Sequence, residues 1–468
     1  MQSFFSDDTI CAPATASGGA VGIVRVSGPR ALELADSIFV SASGKKVLES
    51  AGYSILYGEI PGVDQVLVSV FKAPHSYTGE DSVEIGCHGS SFIVSRILEK
   101  LVEAGARMAE PGEFTRRAFV GGKMDLAQAE AVADIVAASG AAAHRAALNQ
   151  LKGGFSSELR ELRNQIVEIT ALMELELDFS EEDVEFADRS RLKELLERTL
   201  GHIAGLADSF SKGNAVRNGV PVAIAGAPNS GKSTLLNALL GDDRAIVSDI
   251  PGTTRDTVEE VMNLDGVLYR FIDTAGLRET PDVVEAMGVE RSLAAIGRAQ
   301  VVIGVIDATA PLPCLQAQAA ELASRVGEGQ KFVIALNKVD LNGADRLALS
   351  GIADGLSGVG EGLSSLEVPV VPISAKTGYG LDELKAAIRI SEPSDGSETL
   401  VTSLRHYQAL MAASEDLSRV RTGLDSCIPS DLLAQDLRSA IYSLNSILGE
   451  VTSDEVLGEI FGKFCIGK

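Results

Sequence analysis

Hydrophobic positions change their rhythm several times along the chain. Residues 1–121 carry short β-branched runs, Val-Gly-Ile-Val-Arg-Val at 21–26 and Gln-Val-Leu-Val-Ser-Val-Phe at 65–71, punctuated by Ser-Gly-Pro, Gly-Glu-Ile-Pro-Gly and Thr-Gly-Glu-Asp turns. With a helix expected near 90–104, this stretch predicts a small α+β domain. Over 122–215 the period lengthens. Leu148, Leu151, Phe155, Leu159, Leu162, Ile166, Ile169 and Met173 recur at steps of three and four, which predicts one apolar stripe along a long helix. The stretch 174–188 that follows has no basic residue and reads as a solvated acidic loop or helix end.

Between 216 and 388 strand-like and helix-like segments alternate. The candidate strands are 221–226, 267–273, 301–307, 332–337 and 369–374. Alternation of this kind predicts a mostly parallel sheet with helices on both faces. From 389 to 468 the helical rhythm returns, with Leu433, Leu437, Ile441, Leu444 and Leu448 in a stripe. The expected architecture is multidomain: an α+β N-terminal domain and an all-α helical domain into which an α/β domain is inserted. Insertion is well tolerated where chain ends lie close together. The segment Ser-Glu-Pro-Ser-Asp-Gly-Ser-Glu at 391–398 is the expected exit linker.

Composition narrows the functional classes. The 468 residues are 45% hydrophobic, enough for several cores. The formal net charge of −24 argues against a protein that wraps nucleic acid by charge alone, and against long-range attraction to an anionic membrane. Cys11, Cys87, Cys314, Cys427 and Cys465 are scattered and never spaced as CxxC, so neither a disulfide framework nor a zinc ribbon is expected. No signal peptide or membrane span is visible, and a reducing cytoplasmic setting is the expectation.

The chemistry concentrates in the α/β segment. Gly226-Ala-Pro-Asn-Ser-Gly-Lys-Ser233 fits GxxxxGK[ST], follows a candidate strand and opens a helical pattern. Glycines let successive N–H groups turn toward phosphate oxygens, and the helix presents its positive end to the same anion. Lys232 is placed to reach the β/γ-phosphates and Ser233 to ligate Mg2+. Asn229, Ser230, Gly231 and Thr234 complete this cradle. Asp273-Thr274-Ala275-Gly276 ends another candidate strand; the aspartate would support the magnesium shell and the Gly276 N–H would sense a γ-phosphate. Asn337-Lys338-Val-Asp340 follows a third. A carboxylate at 340 would accept both N1–H and N2–H of guanine, donors that adenine lacks. Ser374-Ala375-Lys376 would support the base from a neighbouring loop. The four motifs in this order resemble the translation-factor-like GTPases. Leu277 occupies the position where Ras-type enzymes carry a water-orienting glutamine, so the hydrolytic helper must come from elsewhere, with Glu279, Asp282 and Glu285 as candidates.

Four further features specify the family. They are Gly252-Thr253-Thr254-Arg-Asp256, the continuation of the third motif as Leu-Arg-Glu-Thr280, Asp125-Leu-Ala-Gln-Ala-Glu130, and the terminal Phe464-Cys-Ile-Gly-Lys468. Together they closely resemble the MnmE (TrmE) family of tRNA uridine-modifying GTPases, over almost the whole chain. The resemblance implies a homodimer formed through N-terminal domains and a partnership with FAD-dependent MnmG in a heterotetramer or larger assembly. It implies a carboxymethylaminomethyl-type group installed at C5 of the wobble uridine of certain tRNAs, with the one-carbon unit from 5-formyl- or methylene-tetrahydrofolate. It also implies GTP hydrolysis driven by K+-dependent pairing of two G domains. By that resemblance Asn229 ligates K+, main-chain groups at Ser248, Ile250 and Thr253 complete the ion's shell, and Thr254 joins Ser233 on Mg2+. Glu285 then positions the attacking water, and Arg25, Glu84, Lys123 and Lys468 contact folate. Cys465 is either a thiol near the folate pocket or a small packed residue that docks the tail. Lipidation is rejected, since Ile-Gly-Lys does not suit a prenylation signal. A regulatory switch of the ribosome-assembly kind is the alternative function, with folate binding as the discriminator.

Overall fold

The computed structural model describes residues 8–16, 18–178, 189–241, 260–272, 295–327, 329–341, 368–390, 399–426, 428 and 430–467. The chain divides into two compact units. One comprises Met1–Val136, Leu148–Gly205 and Gln408–Lys468, and the other Ala137–Ala147 and Leu206–Tyr407.

The first unit begins with a seven-stranded sheet in the order β3-β4-β5-β6-β2-β1-β7. Its strands are β1 (Ile10–Pro13), β2 (Val21–Ser27), β3 (Val40–Ser41), β4 (Ser54–Ile60), β5 (Asp64–Phe71), β6 (Ser82–His88) and β7 (Arg107–Met108). All pairings are antiparallel except β1 with β7. Period-2 patterning settles which face is buried. Val24, Val26, Val66, Val68, Val70, Val83 and Ile85 point into a core closed by helices α1 (Ala31–Ile38) and α2 (Ser91–Ala104). The opposite face carries Arg25, paired in register with Glu84.

Helices follow: α3 (Glu113–Val120), α4 (Leu126–Ala137), α5 (Ala141–Leu151), α6 (Gly154–Asp178) and α7 (Arg189–Asp208). The expected single long helix is two. Leu148 and Leu151 close α5, and a turn at Lys152 and Gly153, with Gly153 at φ +87°, separates it from α6. From there the predicted stripe holds: Phe155, Leu159, Leu162, Ile166, Ile169 and Met173 are all buried. Each such side chain contributes about 1.5–3 kcal/mol on leaving water. The acidic stretch begins inside α6, and residues 179–188 lie outside the described residues.

The second unit holds α8 (Phe210–Asn218) and a six-stranded sheet in the order β13-β12-β11-β8-β10-β9. It comprises β8 (Val220–Ala225), β9 (Glu260–Leu264), β10 (Val267–Phe271), β11 (Val301–Asp307), β12 (Lys331–Asn337) and β13 (Val370–Pro372). Five strands are parallel, and β9 runs antiparallel along the edge. That edge strand went unpredicted, although Asp265-Gly266, both at positive φ, forms the two-residue hairpin turn that such a dipeptide favours. Helices α9 (Lys232–Leu240), α10 (Leu312–Ala323) and α11 (Leu381–Ile388) accompany the sheet, with an apolar core on each face.

The C-terminal helices are α12 (Leu404–Asp425), α13 (Ser430–Leu448) and α14 (Asp454–Phe461). Along α13, which packs on α6, Leu433, Leu437, Leu444 and Leu448 are buried as expected, while Ala440 and Ile447 take the inward position expected of Ile441. The 3.6-residue period drifts from a strict stripe by that amount. Among the described residues no helix is long and apolar enough to cross a membrane.

Candidate functional site

In the second unit, β8 delivers the chain into the Gly226–Gly231 loop and α9 takes it away. Gly226 sits at φ +151°, where an added Cβ would collide with the Val305 carbonyl, so this strand end admits no side chain. Asn229 is in the left-handed region at φ +62°, one of the few non-glycine types that adopt it readily. Gly231 caps α9, whose first turn exposes Ser233 and Thr234 beside the positive end of the helix. The Lys232 ammonium donates to the carbonyls of Gly226 and Ala227, each at 2.9 Å, which holds it across the loop. Burial pushes its pKa down. Ser230 is buried, and its hydroxyl has no hydrogen-bond partner among the described residues. A buried hydroxyl left unpaired costs about 1–3 kcal/mol, so the loop fits a site that a ligand completes.

The motifs expected to recognise a base converge on the same loop. Asn337, at the end of β12 and buried, donates from Nδ2 to the Ser230 carbonyl at 2.8 Å and accepts from the Ala375 N–H at 3.0 Å. Lys338 donates to the Asn229 carbonyl at 2.7 Å. Asp340 is exposed on the short 3-10 turn Val339–Leu341, free to accept from a base edge. Ser374 is buried and its hydroxyl accepts from the Thr377 N–H at 3.2 Å, closing the loop that presents Ala375 and the exposed Lys376. Three segments distant in sequence thus meet around one cradle. Ser248, Ile250, Thr253, Thr254, Asp273, Thr274, Ala275, Gly276 and Glu285 lie outside the described residues, as do Leu277, Glu279 and Asp282. Of the residues expected to hold metal, Ser233 and Asn229 are described. Mg2+ at nucleotide sites draws most of its shell from phosphate and water, so one exposed hydroxyl at a helix start fits its usual protein share.

The first unit brings together Arg25 and Glu84, two residues of the other predicted set. Arg25 donates from Nε and Nη2 to Glu84 Oε1, at 3.0 and 2.9 Å, across the β2–β6 register. Oε2 of Glu84 has no hydrogen bond among the described residues and remains an acceptor for ligand donors. The Arg25 guanidinium lies over the rings of Tyr77 and Phe114, 5.3 and 5.6 Å from their centroids. Its Nη1 donates to the Gly467 carbonyl at 3.1 Å. Gly467, at φ +94°, passes so close to Pro13 that a Cβ would collide with that carbonyl. Phe461 and Phe464 anchor the tail against Leu126 and Phe119. Lys123 donates to the Pro74 carbonyl at 2.9 Å, from the loop that also supplies Tyr77. Cys465 is exposed, and Lys468 lies outside the described residues. Tyr77, Phe114 and Gly467 were not among the predicted residues. They come from three separate segments, and no spacing rule connects them.

Known proteins resemble this chain along its length. The model described as "GTP-binding protein TrmE N-terminus" matches residues 9–123, and "MnmE helical domain" matches residues 126–465. A protein of Bacteroides fragilis named "tRNA modification GTPase MnmE" is 49% identical over 99% of this chain and 100% of its own length. One of the same name from Flavobacterium johnsoniae is 44% identical over 99% and 100%. Among solved structures, the G domain of the T. maritima FeoB iron transporter is 29% identical, covering 36% of this chain and 96% of that one with a TM-score of 0.25.

Proposed function

The chain belongs to the MnmE (TrmE) family of tRNA modification GTPases, and on that premise we propose a K+-dependent GTP hydrolase that gates folate-dependent modification of the wobble uridine. It is a GTP hydrolase taking part in tRNA modification. The observation that carries the nucleotide reading is the Asn337 side chain, which ties the phosphate loop to the Ala375 loop and so couples the phosphate and base subsites.

The residues divide the work. The loop amides and the α9 N-terminus bind phosphate charge, and Lys232 leaves its two carbonyls for the β/γ-phosphates. Asp340 reads guanine, flanked by Ser374, Ala375 and Lys376. Ser233 and Thr254 would hold Mg2+. Asn229, with the main chain at Ser248, Ile250 and Thr253, would hold K+. A monovalent cation held by these groups would supply charge stabilisation of the kind on which phosphoryl transfer depends. Glu285 orients the attacking water in place of the glutamine that Leu277 replaces. Asp273, Thr274, Ala275 and Gly276 report the γ-phosphate.

The finer assignments follow the family. The chain works as a cytoplasmic homodimer with FAD-dependent MnmG on tRNA, and 5-formyl- or methylene-tetrahydrofolate lies against Arg25, Glu84, Lys123 and Lys468. The open Glu84 Oε2 beside a guanidinium and two aromatic rings supports a heteroaromatic ligand that donates hydrogen bonds. The net charge of −24 makes MnmG the expected source of most tRNA contacts.

The test is GTP turnover of the purified chain in K+ and in Na+ at equal ionic strength. Faster turnover in K+ is expected, and equal rates remove the role given to Asn229. Glu285→Ala should lower turnover with nucleotide affinity nearly intact; a matching loss of affinity would assign Glu285 to binding. A folate titration without saturation would favour the regulatory switch.

A further inference from the structure

Asp307 ends β11 directly beside Asn337, its register partner on β12. Its two carboxylate oxygens have different partners. Oδ1 accepts from the Thr309 N–H at 3.0 Å and from the Thr309 hydroxyl at 2.7 Å, which orients the carboxylate in a local turn. Oδ2 accepts from the Lys338 ammonium at 2.6 Å. The same ammonium donates to the Asn229 carbonyl at 2.7 Å. Lys338 itself sits at φ +67°, a conformation that a lysine keeps only where its surroundings hold it.

We propose that Asp307 is a positioning residue for nucleotide binding: it holds the Lys338 ammonium, and Lys338 in turn pins the phosphate loop at Asn229. Asn229 is the one non-glycine residue of the loop in the left-handed region, so its carbonyl direction depends on an external partner. Lys338 is that partner, and a lone ammonium on a flexible stem would exchange among water, the loop and solvent anions. The carboxylate at 307, itself fixed by Thr309, removes that freedom. Burial works to raise the Asp307 pKa, but Lys338 and Thr309 outweigh it and hold the group below the usual carboxylate range. It is therefore charged at neutral pH, as the role requires.

This inference rests on the nucleotide-binding reading, and one experiment separates the two. Fluorescent GDP is titrated into the full-length chain, its Asp307→Asn, Asp307→Glu and Lys338→Met variants, and the Asp307→Asn/Lys338→Met double variant, with melting temperature as a fold control. Asp307→Asn keeps the shape and the acceptor toward Thr309, and is expected to weaken GDP binding about tenfold, mainly by faster dissociation. Asp307→Glu should restore more than half of that loss. Lys338→Met should lose at least as much, and adding Asp307→Asn to it should change nothing further. Unchanged affinity in Asp307→Asn or Lys338→Met, or losses that multiply in the double variant, overturns the proposal. Absence of saturable binding by the unmodified chain overturns the nucleotide reading instead.

Discussion

Asn337 and Ser230 are 107 residues apart in sequence, yet the Asn337 side chain donates to the Ser230 carbonyl at 2.8 Å. The same side chain accepts from the Ala375 N–H. One buried amide therefore satisfies main-chain groups in two loops, the one at Gly226–Gly231 and the one that presents Ala375. Burial makes the arrangement costly to break, because neither loop group has water to fall back on.

Asn337→Ala removes both bonds and leaves a buried carbonyl and a buried N–H. A loss of about 2–6 kcal/mol in GDP affinity is expected, from roughly 1–3 kcal/mol for each of the two unsatisfied groups. Isothermal titration measures it, and affinity within threefold of the parent would mean that the two loops are held by other contacts.

Asp340 is the group proposed to distinguish guanine, and its exposed position on the 3-10 turn leaves it open to a base edge. Asp340→Asn replaces a two-way acceptor by an amide that can donate. GTP turnover at low concentration should fall by about two orders of magnitude, while xanthosine triphosphate, which carries a carbonyl in place of the guanine amino group, becomes the better substrate. A steady-state comparison of the two nucleotides decides this.

Glu113 anchors an ion network in the first unit. Its carboxylate accepts from Arg107 at 2.6 and 3.1 Å, from Arg117 at 3.1 Å and from the Glu110 N–H at 2.8 Å. Burial works to raise its pKa, but those donors more than offset it and hold the group below the ordinary glutamate range. A carboxylate of this kind adds stability above its unfolded pKa, about 4.3, and that contribution is lost as pH falls through the lower folded value. Glu113→Gln should cost about 3–5 kcal/mol at neutral pH. Urea midpoints should fall more steeply below about pH 5 for the parent than for the variant; parallel curves would deny Glu113 this linkage.

Thiol reactivity should divide by burial. Cys11 is buried and its pKa is raised to about 11, chiefly by burial and in spite of Arg107. At pH 8 only about one molecule in a thousand carries that thiolate. Cys314 and Cys465 are exposed. Brief iodoacetamide treatment followed by peptide mass analysis should label Cys314 and Cys465 and spare Cys11 and Cys87. Labelling of Cys465 that a bound folate blocks would support the thiol-near-pocket reading. Indifference to folate would leave it an ordinary surface thiol.

The nucleotide motifs were legible because their chemistry is local. A glycine loop between strand and helix, or an Asn-Lys-Val-Asp run after a strand, is a contiguous piece of backbone whose hydrogen-bonding direction follows from residue type alone. The buried stripe from Phe155 to Met173 was legible for a similar reason, since helical period depends only on neighbours. The break before α6 was less legible: the apolar spacing continues through Lys152 and Gly153, and only the left-handed backbone at Gly153 interrupts it. The edge strand β9 was missed because five residues alternate too briefly to outweigh base composition, even with a hairpin dipeptide beside them.

Local spacing was therefore enough for the α/β class, the glycine loop between strand and helix, and the placement of Asp340 just after a strand. Long-range register decided the rest. Arg25 meets Gly467 across 442 residues, and Asp307 lies beside Asn337 because two parallel strands align residue for residue. Neither contact leaves a trace in spacing, because a side chain's partner across a sheet or under a tail is set by how whole elements pack, and packing energy is shared among many residues that no single motif contains.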